Sequence, residues 1–244
     1  MIGEWGFGNL HFKTAEQLIN KMDMLCIDKA LVFDSKSWLC DIEIGNKAIV
    51  QSVKHYDRLL PVITLTPLID QEFSSKGKLL DFMKKNNIKA VRLFPFDQNY
   101  TLYLWNVKKL FQMLNEIKIP VLIECREMRG TINPWFNQIY EIAKEFPNVP
   151  IILLTIGYRS LRILYELFEE CMNIFIDTST FITYHGLEEV VKLYGSERIL
   201  FGTRMPFIEG GVSVGRVIYA DIGQEDKNNI AWQNITRLMQ ECIL

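Results

Sequence analysis

The sequence predicts an α/β fold of the TIM (β/α)8-type barrel class, with a reduced or missing first strand. Three observations predict it. Short apolar runs recur along the chain, amphipathic helical stretches separate them, and one strand-plus-helix unit takes roughly 25 to 30 residues. Runs that are apolar throughout are typical of parallel strands buried on both faces. Seven such units favour a barrel over a doubly wound sheet, and no G-x-G-x-x-G motif follows the first strand.

The elements follow one another in a regular order. The predicted strands are Lys29–Phe33, Leu60–Leu65, Lys89–Phe94, Ile119–Glu124, Pro150–Thr155, Asn173–Asp177 and Arg198–Phe201. The predicted helices carry an apolar stripe at helical spacing and are Thr14–Leu25, Leu102–Ile117, Asn133–Phe146, Arg159–Glu169, Leu187–Leu193 and Glu225–Met239. The first helix opens on a capping-box pattern, in which Gln17 comes three residues after Thr14.

The strand that should precede the first helix is short of sequence, because only Met1–Phe7 is available for it. Either Met1–Trp5 forms a stunted strand, or the barrel keeps a gap between the strands at Lys29 and Arg198. An open strand edge is a liability that a neighbour has to cover. A homodimer that covers the gap is therefore one expectation.

Composition narrows the function classes. The chain has 244 residues, of which 49% are hydrophobic, and no linker interrupts it, so we expect one domain over residues 1–244. The net charge is −2 and no basic run occurs, so nucleic acid is not an expected partner. No apolar run approaches the ~20 residues of a membrane span, and no signal peptide opens the chain. Five scattered cysteines without a CxxC motif indicate reduced thiols, as in a cytoplasmic protein.

Polar side chains follow the predicted strands at their carboxyl ends, where the active sites of (β/α)8 barrels lie. These candidates are Asp34, Thr66, Arg92, Glu124, Arg126, Thr155, Tyr158, Asp177, Thr178, Ser179, Thr203 and Arg204, with His185 further along the loop after the seventh strand. Glu124 and Asp177 have the chemistry of an acid and a base. Arg92 and Arg204 can clamp a carboxylate or a phosphate in forked geometry.

Several segments, in this order, resemble the amidohydrolase-related family of metal-dependent hydrolases and decarboxylases. They are TAEQLINKMDMLCIDKALVF, KAVRLFP, IPVLIE, PNVPIIL, NIFIDTST, GSERILFGTRMPF and EDKNNIAWQNITRL, and they span nearly the whole chain. The resemblance implies a TIM barrel. It also implies a divalent metal such as zinc, and hydrolysis or decarboxylation of a small substrate with metal-activated water as the usual nucleophile.

The departures from the family pattern fall on its metal ligands. The His-x-His pair that usually ends the first strand is missing. Glu124 and Thr155 stand where the fifth and sixth strands usually deliver histidines, and Arg204 stands where an Asp usually follows Gly-Thr. A catalytic zinc needs about three ligands from His, Asp, Glu or Cys. We therefore expect no metal and no cofactor, unless unrecognised ligands rebuild the site.

Three function classes remain open. The first is an enzyme acting on a small carboxylated substrate without the usual metal, with Glu124 as the proton-transfer group and Arg92 and Arg204 as the anion clamp. The second is a non-catalytic protein that binds a small anionic ligand at the same mouth, and the third is a regulatory partner subunit. In the simplest interpretation, a Glu124–Arg204 salt bridge fills the vacated metal site. An unpaired Arg204 facing an open pocket favours binding or catalysis, whereas a plugged mouth with Arg204 paired to Glu124 favours a structural role.

Overall fold

The computed structural model describes residues 1–5, 11–125 and 135–244. The strands are β1 Ala30–Val32, β2 Leu59–Pro61, β3 Ile63–Thr64, β4 Val91–Leu93, β5 Val121–Glu124, β6 Ile151–Leu154, β7 Ile174–Asp177 and β8 Ile199–Leu200. The α-helices are α1 Ala15–Met24, α2 Ser35–Leu39, α3 Ile42–Val53, α4 Ile69–Phe73, α5 Lys76–Lys85, α6 Leu104–Ile117, α7 Trp135–Glu145, α8 Leu161–Glu170, α9 Gly186–Tyr194, α10 Gly210–Ile218, α11 Gln224–Asn228 and α12 Asn234–Gln240. A 3₁₀ turn, Tyr158–Ser160, precedes α8, and a π-helical turn, Asn229–Gln233, joins α11 to α12.

The strands are parallel and neighbour one another in chain order, as in a TIM barrel. β1 pairs with β2, and β3 to β8 form one six-stranded sheet in which each strand neighbours the next. β2 and β3 are two pieces of the single predicted strand Leu60–Leu65, which breaks at Val62. The predicted fold class is confirmed, and every predicted strand is present among the described residues.

A side chain bridges the break between β2 and β3. The amide of Asn46 on α3 donates from Nδ2 to the Thr64 carbonyl at 2.8 Å and accepts from the Thr64 N–H at 2.8 Å. These are the two hydrogen bonds that a neighbouring strand would make with Thr64. The hydroxyl of Ser37 on α2 lies 2.8 Å from the Thr64 hydroxyl. α2 and α3 therefore hold the start of the six-stranded sheet in place.

The first strand is both stunted and followed by a gap. Ile2 forms an isolated parallel bridge with Asp34, in which the Ile2 N–H donates to Phe33 O at 3.0 Å and the Ser35 N–H donates to Ile2 O at 2.8 Å. Within the described residues, β8 pairs with β7 and β1 pairs with β2, but β1 and β8 do not pair with each other. The N–H of Phe201, just after β8, donates to the carbonyl of Ile230 in the π-helical turn at 2.8 Å. We call the opening between β1 and β8 the seam.

The predicted helices are confirmed with small shifts at their ends, except for residues 133 and 134, which lie outside the described residues. Thr14 caps α1 by accepting from the Gln17 N–H at 3.3 Å. The prediction missed α2 to α5 and α10. Glycines and β-branched residues lower the helix propensity of α3 and α10, and tertiary packing overrides it. At Gly45 of α3, a Cβ would lie 2.0 Å from the Ser37 nitrogen, so only glycine permits the close approach of α2.

The core has an outer and an inner part. The outer part joins the strands to the surrounding helices and is the largest buried cluster. Two smaller clusters lie inside the barrel. The front cluster is Met1, Phe33, Val62, Ala90 and Phe94, and the back cluster is Ile152, Leu154, Phe175, Leu200 and Leu238. Leu122 packs against both clusters. In the described ranges, no helix has the length and apolar character needed to cross a membrane.

We expect Asn46→Ala to lower the free energy of unfolding by about 2–4 kcal/mol, because it leaves the buried N–H and C=O of Thr64 without partners. Chemical denaturation measures the loss. Gln51→Ala is the matched control, since Gln51 is exposed on the same helix and its replacement should change stability by less than about 0.5 kcal/mol. Equal losses in the two variants would show that Asn46 does not hold the sheet.

Candidate functional site

A cavity of about 770 Å³ lies inside the barrel and reaches the carboxyl ends of the strands. Most of the predicted site residues line it together: Arg92, Glu124, Thr155, Asp177, Ser179, Thr203 and Arg204. They come from β4, β5, β7 and the segments that follow β6, β7 and β8. The carboxyl ends of barrel strands converge on one mouth, and these side chains lie together there, as the sequence predicts.

Asp34, Tyr158 and His185 do not line this cavity. The Asp34 carboxylate caps α2 and accepts from the Lys36 N–H at 2.8 Å. Tyr158 is exposed in the turn before α8, with the Arg159 guanidinium 4.6 Å from its ring centroid. The Nδ1 atom of His185 lies 3.6 Å from Glu188 Oε1 beside a separate pocket of about 300 Å³. Arg126 lies outside the described residues.

Two arginines share the carboxylate of Glu124. Its Oε2 lies 2.5 Å from Arg92 Nη2, and its Oε1 lies 3.1 Å from Arg204 Nη2. The Glu124 side chain is 6% exposed, that of Arg92 16% and that of Arg204 32%. The Glu124–Arg204 salt bridge is thus present, but a second arginine leaves the trio with a net charge of +1. Arg204 is therefore paired with Glu124, as expected for a structural role, and it also lines the cavity, as expected for binding or catalysis.

Aromatic rings hold the Arg92 guanidinium in place. Its carbon lies 4.3 Å from the ring centroid of Phe33 and 4.8 Å from that of Phe94. Stacking of this kind favours arginine over lysine and limits the freedom of the side chain. The Nε of Arg92 is buried and has no hydrogen-bond partner among the residues that the structure describes. Arg204 is the more accessible cation, with its guanidinium 5.9 Å from the Phe207 centroid.

Asp177 is a buried carboxyl group beside this trio. Its oxygens accept from the N–H groups of Thr155 and Ser179, both at 3.3 Å. Burial raises the pKa of Asp177, and the nearby negative charge of Glu124 raises it further, while hydrogen bonds from Ser179 and Thr155 lower it in part. At Gly202 a Cβ would lie 2.2 Å from Asp177 Oδ2, so glycine is required where β8 ends. A raised pKa equips Asp177 to donate a proton.

Two site residues adopt the left-handed backbone conformation that favours glycine. Thr155 has φ of 63° and Arg204 has φ of 52°. Such conformations cost on the order of 1–3 kcal/mol and tend to cluster at functional sites. The Thr155 hydroxyl donates to the carbonyl of Cys125, which ties the end of β6 to that of β5. The strain lies at the positions where the family pattern usually carries a histidine and an aspartate.

The sequence analysis missed Arg216. It lies in the last turn of α10 and donates to the Thr178 carbonyl. Burial lowers the pKa of Arg216, and the charge of Asp177 opposes this effect. A barrel has a helix after every strand, so the barrel pattern could have indicated α10. The three glycines of GGVSVGRVI obscure this helix in the sequence.

The residues at the mouth do not fit a divalent cation. In the part of the chain that the structure describes, no three His, Cys, Asp or Glu side chains come together as a metal-binding group. Both oxygens of Glu124 engage arginines, and Arg204 places a positive charge where a metal ligand would be needed. The net positive charge of Arg92, Arg204 and Glu124 repels a divalent cation placed beside them.

Known proteins resemble this chain in sequence pattern and in structure. The family model described as amidohydrolase matches residues 31–239. The chain has no match among the sequences of curated proteins. An uncharacterised TIM-barrel protein from Bordetella bronchiseptica superposes with a TM-score of 0.75 at 16% identity, covering 94% of this chain and 83% of that one.

Two decarboxylases have similar structures. The 2,6-dihydroxybenzoate decarboxylase from Rhizobium gives a TM-score of 0.72 at 18% identity, with 95% of this chain and 90% of that one covered. The 5-carboxyvanillate decarboxylase from Novosphingobium aromaticivorans, complexed with manganese and 4-hydroxy-3-methoxy-5-nitrobenzoic acid, gives 0.74 at 14% identity, covering 94% and 81%. These similarities establish the barrel fold.

The raised pKa of Asp177 predicts a pH dependence of stability. Between its ordinary value of 3.8 and the raised value, the folded protein binds more protons than the unfolded chain. The free energy of unfolding therefore falls as the pH rises through this window. Asp177→Asn removes this effect, so wild type should lose stability relative to the variant from about pH 3.8 upward. Denaturation at several pH values measures the difference, and a constant or opposite difference contradicts the assignment.

Proposed function

The chain belongs to the amidohydrolase family, and from that membership we propose that it decarboxylates a small carboxylated substrate without the family's usual divalent metal. One observation carries the proposal: Glu124 is shared by Arg92 and Arg204 beside the buried Asp177. The excess positive charge attracts a carboxylate, and Asp177 supplies a proton. Two structurally similar proteins are decarboxylases, which agrees with this choice of substrate class.

The arginines bind and orient the substrate. Arg204 is the more accessible of the two and forms charge-assisted hydrogen bonds to the substrate's carboxylate. Arg92 packs against the rings of Phe33 and Phe94 and keeps Glu124 in position. Because Glu124 remains between the two cations, the site retains a net charge of +1 and so matches a monoanion.

Asp177 then acts as the general acid. Its proton adds to the carbon that bears the carboxylate, and the bond from that carbon to the carboxylate breaks. The electron pair of that bond stays with the carbon's π system, carbon dioxide leaves, and the Asp177 carboxylate recovers a proton from water. Burial keeps Asp177 protonated to a higher pH than an exposed carboxyl group. Hydrolysis fits the site less well, because an activated water would need a metal or a dedicated base.

A second candidate function is binding without turnover. The observation that favours it is the pairing of both Glu124 oxygens, which leaves this carboxylate engaged rather than free for proton transfer. In either function the partner is a small anionic molecule. Five free cysteines suit a reducing compartment, so we propose a cytoplasmic location.

Turnover and metal content test the proposal together. Protein purified without chelator or affinity-tag metal should hold well under one metal ion per chain by inductively coupled plasma mass spectrometry. It should release carbon dioxide from a panel of aromatic carboxylates. Asp177→Asn should slow release about 10²- to 10⁴-fold by removing the acid, whereas Asp70→Asn, at an exposed position on α4, should not. Near-stoichiometric zinc, manganese or iron would overturn the metal-free mechanism, and carboxylate binding without release would support the second candidate.

Arg204→Gln tests the anion site independently of turnover. Loss of a charge-assisted hydrogen bond should weaken benzoate binding about 10- to 100-fold by calorimetry, and Arg204→Lys should restore part of the affinity. Arg162→Gln, at an exposed position on α8, controls for the change in net charge. Unchanged affinity in Arg204→Gln would show that the anion binds elsewhere.

A further inference from the structure

The cavity extends well beyond the charged mouth. From Arg204 and Glu124 it continues into the barrel, where its walls are apolar, and it reaches the seam between β1 and β8. Its apolar walls inside the barrel are Leu31, Leu60, Leu122, Ile152, Leu154 and Leu200. At the seam it is bounded by residues 25–30, which include the charged Asp28 and Lys29, and by side chains of α10 and the C-terminal helical segment. One continuous space therefore has a cationic end at the mouth and apolar walls between the mouth and the seam.

The stunted first strand explains why this space exists. Layers of side chains from all the strands normally fill the interior of a (β/α)8 barrel. Here the front cluster and the back cluster are two distinct groups of side chains, and Leu122 packs against both. Protein interiors rarely keep voids larger than a water molecule, and an empty apolar cavity lowers stability. A volume of about 770 Å³ lies within the range of small-molecule sites.

We propose that this cavity binds an amphipathic monoanion, a carboxylic acid with an unbranched alkyl chain, whose head lies at Arg204 and whose tail runs through the barrel toward the seam. The proposal goes beyond the proposed function and rests on it for the anion-binding end. A saturated alkyl chain has no π system to take the electron pair of a broken carbon–carboxylate bond, so the alkyl carboxylate is a bound ligand of this site and not a substrate. The tail assignment rests on the apolar walls alone.

The net charge at the mouth favours a carboxylate over a phosphate as the head group of the ligand. Arg92, Arg204 and Glu124 sum to +1, which balances a carboxylate. A phosphate monoester carries between −1.5 and −2 near neutral pH, about one charge more than the trio can neutralise. An alkyl phosphate should therefore bind more weakly than an alkyl carboxylate with the same chain.

The seam provides the exit for the tail. Ile218 at the end of α10 is 57% exposed and lines the cavity, and Trp232 in the π-helical turn lines it as well. Val212 on the same helix is 53% exposed, yet it does not line the cavity. This pair gives a matched comparison, because a charge at Ile218 lies beside the tail and a charge at Val212 does not.

Calorimetric titration with butanoate, octanoate, dodecanoate, benzoate and dodecyl phosphate, each below its micellar concentration, tests the proposal. Affinity should rise about three- to fourfold for each added methylene until the chain reaches the seam. Dodecanoate should bind more tightly than dodecyl phosphate. Ile218→Glu should weaken dodecanoate binding tenfold or more and leave butanoate unchanged, whereas Val212→Glu should alter neither.

The outcomes separate the tail assignment from the anion site. Benzoate binding with no dependence on chain length overturns the alkyl tail and leaves the proposed function intact. Failure of every anion to bind overturns both. Equal effects of Ile218→Glu and Val212→Glu, or no effect of either, place the tail elsewhere and overturn the proposal, and tighter binding of dodecyl phosphate overturns the carboxylate head.

Light scattering tests the competing occupant of the seam, a second copy of the chain. We expect the oligomeric state to be the same in wild type and in Ile218→Glu. If Ile218→Glu converts a dimer to a monomer while binding of the alkyl carboxylates is unchanged, the seam is a subunit interface and the tail proposal fails.

Discussion

The carboxylate of Glu124, shared by two guanidinium groups, is the interaction on which the mouth of the barrel depends. Without it, neither Arg92 nor Arg204 would keep the carboxylate that the two guanidinium groups share. With it, the mouth keeps a permanent positive charge, because arginine does not lose its proton in proteins. A guanidinium group donates forked hydrogen bonds to an anion such as a carboxylate.

The register of the strands explains why an arginine is needed on β4. Arg92 pairs with Leu122, and Glu124 lies two residues further along β5, so Glu124 stands one layer nearer the mouth. A long side chain reaches from the lower layer to the upper one, and its guanidinium lies against the rings of both Phe33 and Phe94. In the proposed function Arg92 supports Glu124 and Arg204 contacts the anion.

Strand positions were predictable from sequence because parallel strands are buried on both faces and appear as apolar runs, and the convergence at the mouth followed from the fold. The orientation of individual side chains was not predictable. Asp34 follows the end of β1 by two residues, yet the helix that begins at Ser35 uses its carboxylate as a cap. Tyr158 and His185 follow strands as well, but neither lines the cavity. Arg216 depended on a glycine-containing helix that propensity alone does not reveal, and the inward direction of Arg92 required the strand register.

The hydrogen bond from Phe201 to Ile230 has a consequence for how the protein behaves in a crowded solution. A barrel that lacks a strand exposes backbone donors and acceptors on which a foreign strand could grow, the usual route to edge-to-edge aggregation. At the end of β8 the chain's own C-terminal helical segment occupies that position, because the π-helical turn interrupts the regular i to i+4 pattern and directs the Ile230 carbonyl to the sheet. The molecule thereby protects one side of its opening with a helix, so that the entrance to its interior is not also a template for misassembly.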